Sequence, residues 1–207
     1  MMKRMGLIIG VLVIIVGIAV GWALSGSNSR ETSVKDHQQQ RSQATTSSTR
    51  SDTKSLIIYF SLSGNTKEAA TQIQKMTGAD IVRLQPKTPY PDGYNNYVRV
   101  ARGQLKRGLH PAIKKNIPNL AHYGTIFVGF PTWWQQPPMI IHTLFDDYDF
   151  SGKNIIPFTT SMSTPISASM PYMKKLANAD NAKLGSGFRY DDNPSSLRSF
   201  LKKSKIH

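Results

Sequence analysis

Apolar and polar positions divide the chain into three stretches of different character. Behind Lys3 and Arg4 runs an uncharged apolar stretch, Gly6 to Leu24, with Trp22 near its end. Its 19 residues, at about 1.5 Å of helix rise each, come close to the roughly 30 Å of a bilayer core. The pattern predicts a transmembrane helix within residues 1–25, and the two leading cations place the N-terminus in the cytoplasm. Ala23-Leu24-Ser25 would also serve as a cleavage site, but the run is longer than most signal-peptide cores. Either reading exports the remainder, and the uncleaved anchor predicts a single-pass cell-membrane protein with an extracytoplasmic C-terminal domain. Residues 26–53 are rich in Ser, Thr, Gln and Asn, with no aromatic side chain. They cannot bury enough apolar surface to offset ordering entropy, and they read as a flexible polar linker.

From Lys54 to His207 short apolar runs alternate with helical spacing. Ser55 to Phe60 reads as a buried strand. Ala69, Ala70, Ile73 and Met76 give a helix over Thr66 to Met76, with Gly78 as its C-cap. Further strands are expected at Asp80 to Leu84, Gly124 to Phe130, Asn154 to Phe158 and Leu184 to Phe188. Helices are expected near Tyr94 to Lys106, Pro138 to Phe145 and Tyr172 to Ala177. A last helix should run from Ser195 to Lys203 behind the Asn193-Pro194 cap pair. Strands alternating with helices make an α/β domain, a doubly wound parallel sheet with right-handed crossovers.

The chain has no cysteine, which excludes disulfides, Fe–S clusters and thiol catalysis, so any redox chemistry must come from a bound cofactor. Its formal net charge is +14. From Gly93 to Leu144 there is no Asp or Glu, but Arg99, Arg102, Lys106, Arg107, Lys114 and Lys115 are present. Such a face draws anionic partners or an anionic membrane. It is not read as binding nucleic acid, because the aromatic residues lie in a separate loop and the domain is expected to be exported. His110, His122 and His142 lack the spacing of a metal site, and no residue stands out as a catalytic acid, base or nucleophile.

In a doubly wound sheet, ligands sit at the carboxyl ends of the strands. After the first strand comes Ser61-Leu62-Ser63-Gly64-Asn65-Thr66, leading straight into a helix. Helix N-terminal amides and the helix dipole favour an anion there. There is no Walker lysine, so a phosphate that is held fits better than one that is cleaved. After the third strand comes Pro131-Thr132-Trp133-Trp134, stiffened by Pro137-Pro138, where indoles can wall a flat ligand. One of the two tryptophans is expected to pack against a neighbouring helix. After the fourth strand, Thr159 to Thr164 is small and hydroxyl-rich. Together the three loops describe a pocket for a ring system with a phosphate tail.

Tyr59 to Thr66 resembles the phosphate-binding signature of flavodoxins. Gly129-Phe130-Pro131-Thr132-Trp133-Trp134 resembles the G-x-P-x-W-W loop of a flavodoxin-like subfamily. Asp147 to Phe158 resembles that subfamily's segment leading into strand four, and Tyr90 to Tyr97 its region ahead of the second helix. The resemblance spans Ser55 to Lys203. It implies a five-stranded parallel sheet in the order 2-1-3-4-5 and non-covalent FMN. It implies that Ser61, Leu62, Ser63, Gly64, Asn65 and Thr66 hold the phosphate. Pro131, Thr132, Trp133 and Trp134 would flank the ring, and Thr160, Ser161 and Met162 would line its far side. Flavodoxins carry FMN at this same edge, so the placement is not independent of them. One departure is that Met162 and Ser163 stand where the subfamily has glycines, which would narrow the pocket. The implied function is electron transfer, or FMN-dependent reduction of a quinone-like acceptor by NAD(P)H, with a redox protein or quinone as partner. The competing reading is a flavin-less module that binds an anionic surface partner.

Overall fold

The computed structural model describes residues 54–206. The expected membrane helix and linker lie outside them; among the described residues no helix is long and apolar enough to cross a membrane. The elements are β1 (Lys54–Tyr59), α1 (Asn65–Thr77), β2 (Asp80–Arg83), α2 (Tyr94–Arg107), β3 (Tyr123–Pro131), α3 (Met139–Asp147), β4 (Asn154–Thr160), α4 (Met170–Ala179), β5 (Lys183–Leu184), β6 (Phe188–Tyr190) and α5 (Pro194–Lys203).

All ladders are parallel, and the sheet order is β2-β1-β3-β4-β5, with β6 also on β4. Register stacks Ile57 beside Ile81 and Phe127, and Phe127 beside Ile156. Because helices cover both faces, the strands read as unbroken apolar runs, and alternate residues enter different cores. Leu56, Ile58, Phe60, Ile126, Val128 and Phe130 pack with Ile140, Ile141 and Leu144 of α3 and Met173 of α4. Ile57, Tyr59, Phe127 and Phe158 pack with Ala69, Ala70 and Ile73 of α1 and Leu197 and Leu201 of α5. At Gly129 a Cβ would stand 2.1 Å from Cζ of Phe158, so the two central strands meet there only because the side chain is absent.

The expected fifth strand, Leu184 to Phe188, is corrected: it is two strands, making six among the described residues. Lys183–Leu184 pairs with Asn154–Ile155, and Phe188–Tyr190 pairs with Phe158–Thr160. The gap falls opposite Ile156 and Pro157, and a proline has no N–H to give a ladder. Gly187 sits in that gap, where a Cβ would come within 2.6 Å of Ile166 and 2.7 Å of Met170.

Helix ends follow local chemistry. Gly78 closes α1 at φ +65° with its N–H on the Gln74 carbonyl. The Asn193 side chain accepts from the amides of Ser195 and Ser196 and starts α5.

Candidate functional site

The carboxyl ends of β1, β3 and β4 converge, and hydroxyl bonds tie them together. The Thr66 and Thr160 hydroxyls are 2.8 Å apart, joining the first turn of α1 to the end of β4. The Thr132 and Thr159 hydroxyls are 2.6 Å apart, and Thr159 Oγ1 donates to the Phe130 carbonyl at 2.7 Å. The Thr132 amide donates to the Thr160 carbonyl at 3.0 Å. All three sequence-predicted loops therefore share one edge.

The turn before α1 is open. Ser63, Gly64 and Asn65 are exposed, while Ser61 and Thr66 are buried. Gly64 adopts φ +98°, and no side chain caps the helix. The first amides of a helix have no intrahelical acceptor, so this end presents N–H groups and the positive end of the dipole to an anion. Ser61 Oγ accepts from the Gly64 amide at 3.1 Å and so shapes the turn. Its own proton stays available to a ligand. Leu62 packs its side chain on the core, leaving only its backbone for the site.

The tryptophan turn divides its two indoles. Trp133 sits among Phe60, Tyr90 and Tyr97, edge-on to the first two and stacked on Tyr97 with centroids 6.0 Å apart. Its role is largely packing, and Tyr90 beside it donates to Gln104 Oε1 at 2.7 Å. Burial pushes the Tyr90 phenol up to about 12, so it stays neutral. Trp134 is 41% exposed. Trp133 and Gln136 exchange both backbone bonds, 3.1 and 3.2 Å, around Trp134 and Gln135. Those two central residues have φ +49° and +67°. This is the geometry of a type I′ turn built without glycine or asparagine, and each such residue costs of order 1 kcal/mol or more. The buried Ser169 hydroxyl, at the start of α4, donates to the Gln135 carbonyl at 3.4 Å.

In the loop after β4, the Ser161 hydroxyl donates to the Thr164 carbonyl at 2.6 Å. Met162 is fully exposed. Its side chain is therefore not packed against the rest of the domain.

Two cations escaped the sequence reading. Arg83, ending β2, donates from Nη2 to the Ser61 carbonyl at 2.7 Å. Arg189, in β6, donates from Nη1 to the Ser161 carbonyl at 3.3 Å. Each holds one loop of the site from an outer strand. Their only signal in the sequence is a charge at the carboxyl end of an outer strand.

The remaining chemistry lies elsewhere. His110 Nδ1 meets Asp146, and the His110 and His142 rings have centroids 5.1 Å apart. Burial, then the nearby His110, holds His142 below the ordinary histidine range.

A family model described as flavodoxin matches residues 54–196. No curated protein matches the chain. Among solved structures, a candidate flavoprotein from Bacteroides eggerthii is 29% identical with a TM-score of 0.67, over 74% of this chain and 99% of that one. A second, from Bacteroides uniformis, is 29% identical with a TM-score of 0.64, over 72% and 97%. A flavoprotein from Lactobacillus acidophilus, solved in complex with FMN, is 26% identical with a TM-score of 0.57, over 71% and 97%.

Proposed function

The chain belongs to the flavodoxin family, and on that premise we propose that it binds FMN non-covalently at the carboxyl edge of the sheet and moves electrons through it. The single observation that carries this is the open, uncapped N-terminus of α1 at Ser63 to Asn65. A turn packed against protein there would have left no room for a phosphate.

The residues present fit the cofactor. The backbone from Ser61 to Thr66 would hold the phosphate, with the Ser63 hydroxyl and the Arg83 charge beside it. Trp134, with Pro131 and Thr132, would flank the ring, and Thr160 and Ser161 would close its far side. Bound there, the flavin supplies redox chemistry for which the chain's own side chains offer no group. The protein's part is to position it: the Thr66–Thr160 and Thr132–Thr159 bonds fix the loops, and the two arginines hold the loop carbonyls.

The domain works at the outer face of the cell membrane, tethered by residues 1–25 and the linker. The electron donor is NAD(P)H or a reduced redox protein, and the acceptor is a quinone-like molecule or a partner protein. The basic residues of α2, all exposed, attract whichever partner is anionic. The test is the visible absorption spectrum of the purified chain. Bound oxidised flavin gives it the two-banded spectrum of a yellow protein. A chain that stays colourless after incubation with FMN overturns the proposal in favour of a flavin-less binding module.

A further inference from the structure

The solvent side of α2 carries Arg99, Arg102, Lys106 and Arg107, all exposed. The first three follow at three- and four-residue steps, so they form one row along the helix. Arg107 lies beside that row. Its guanidinium folds back over Gly103, where an added Cβ would stand 3.3 Å from both Nη1 and Nη2. Arg99 donates from Nη2 to Asn96 Oδ1 at 2.8 Å, a neutral partner. The carboxylates that end α3 are already used, Asp146 by His110 and Asp147 by Lys115. Among the described residues Arg99, Arg102, Lys106, Arg107 and Lys114 make no ion pair. Apolar side chains stand exposed along the same helix: Tyr94 is 70% exposed, Val100 39%, and Leu109, just past the helix end, 47%.

We propose that this face of α2 docks on an anionic lipid bilayer and so fixes which side of the domain meets the membrane. Charge complementarity is the first support. From Gly93 to Leu144 the sequence has no Asp or Glu, so nothing on the helix repels a negative surface. Each Lys or Arg held within a Debye length of anionic headgroups adds to the binding. The mixed chemistry of the face is the second support, and it selects the partner. A nucleic acid or an acidic protein segment would satisfy the cations and leave Tyr94, Val100 and Leu109 in water. At the headgroup boundary, Arg and Lys reach phosphates while apolar and aromatic side chains enter the acyl edge. The third support lies in the sequence: Lys3, Arg4 and the uncharged run Gly6 to Leu24 have the composition expected of a bilayer-spanning segment.

The inference rests on the tethered reading only in naming the bilayer as the surface at hand, and it is independent of the flavin. A tether supplies a high local concentration of lipid. The α2 face supplies an orientation, which a tether alone does not.

The chain has no cysteine, so one introduced cysteine carries a polarity-sensitive fluorophore at a single place. The full chain is labelled through Asn95→Cys, exposed on α2, or through Ser199→Cys, exposed on α5. α2 packs on α3, and α3 and α5 cover opposite faces of the sheet. Each labelled chain is incubated with vesicles of phosphatidylcholine, with or without phosphatidylglycerol. Emission at position 95 should rise at least about twofold when phosphatidylglycerol is present, and position 199 should not respond. High salt should reverse the rise. Combining Arg99→Gln, Arg102→Gln and Lys106→Gln, all at exposed positions, should abolish the rise and leave the Tm unchanged. No rise at position 95, an undiminished rise in the triple variant, or an equal rise at position 199 overturns the proposal. A rise with polyglutamate in solution but none with the anionic vesicles also overturns it, in favour of an acidic protein partner. Flotation with phosphatidylcholine vesicles reads the tether separately. A chain that fails to float there but docks on the anionic vesicles through α2 would lose the anchor and keep the docking face.

Discussion

Thr66 and Thr160 stand 94 residues apart in sequence and meet hydroxyl to hydroxyl at 2.8 Å. One begins the helix that presents amides to an anion, and the other ends the strand behind the proposed ring site. The bond is a direct tie between the two halves of the site. Thr66→Val and Thr160→Val should each cost about 1 kcal/mol of stability and weaken FMN binding. The double variant should lose less than the sum. Urea unfolding of the four proteins checks this, and strictly additive losses would show that the bond contributes nothing.

The turn at Trp134 and Gln135 carries positive φ at both central residues. Asparagine followed by glycine is the preferred pair for this turn. Replacing Trp134 by Asn and Gln135 by Gly should therefore raise stability, by about 1 kcal/mol, while weakening flavin binding. Thermal melts and flavin titrations on one sample read both effects. A variant that is destabilised would mean that the turn is not strained.

Gly129→Ala drives a methyl into the Phe158 ring. Overpacking of this kind costs about 1–3 kcal/mol. Adding Phe158→Leu should recover part of that loss, as measured by the urea midpoint. No recovery would place the strain elsewhere.

His142 is held below the ordinary histidine range by burial first and by His110 second, partly offset by Asp146. Its Nε2 is buried without a hydrogen bond among the described residues. The unfolded chain therefore binds this proton more readily than the native one. The stability linked to neutral His142 is fully present above the ordinary pKa of about 6.5. It is lost as pH falls through the lowered native value. The Tm should drop on going from about pH 7 to about pH 5, and His142→Leu should flatten that slope. Equal slopes in both proteins would assign the acid loss to other groups.

What the sequence made legible follows from period and local chemistry. Strands buried on both faces, such as Leu56 to Phe60, are visible as apolar runs, and Gly78 and Asn193-Pro194 mark helix ends by their own preferences. The edge of the sheet was not legible in the same way. The apolar residues Leu184 and Phe188 suggest one strand, but pairing depends on Pro157 in the neighbouring strand. The phosphate turn and the convergence of the three loops could be read from the order of strands. The tie between Thr66 and Thr160 could not, nor the arginines on the Ser61 and Ser161 carbonyls, because each depends on residues distant in the chain. The type I′ turn was hidden for a different reason: Trp134 and Gln135 have none of the residue types that usually announce it.

The central claim is that the start of α1 grips a phosphate. FMN and riboflavin share one ring and differ in that group alone, so the flavin-free chain should be titrated with each, following the quenching of flavin fluorescence. Charge-assisted bonds at the helix N-terminus are worth about 1.5–3 kcal/mol, which predicts FMN binding at least about tenfold more tightly, with the advantage reduced in Arg83→Met. Equal affinity for the two flavins would contradict the claim.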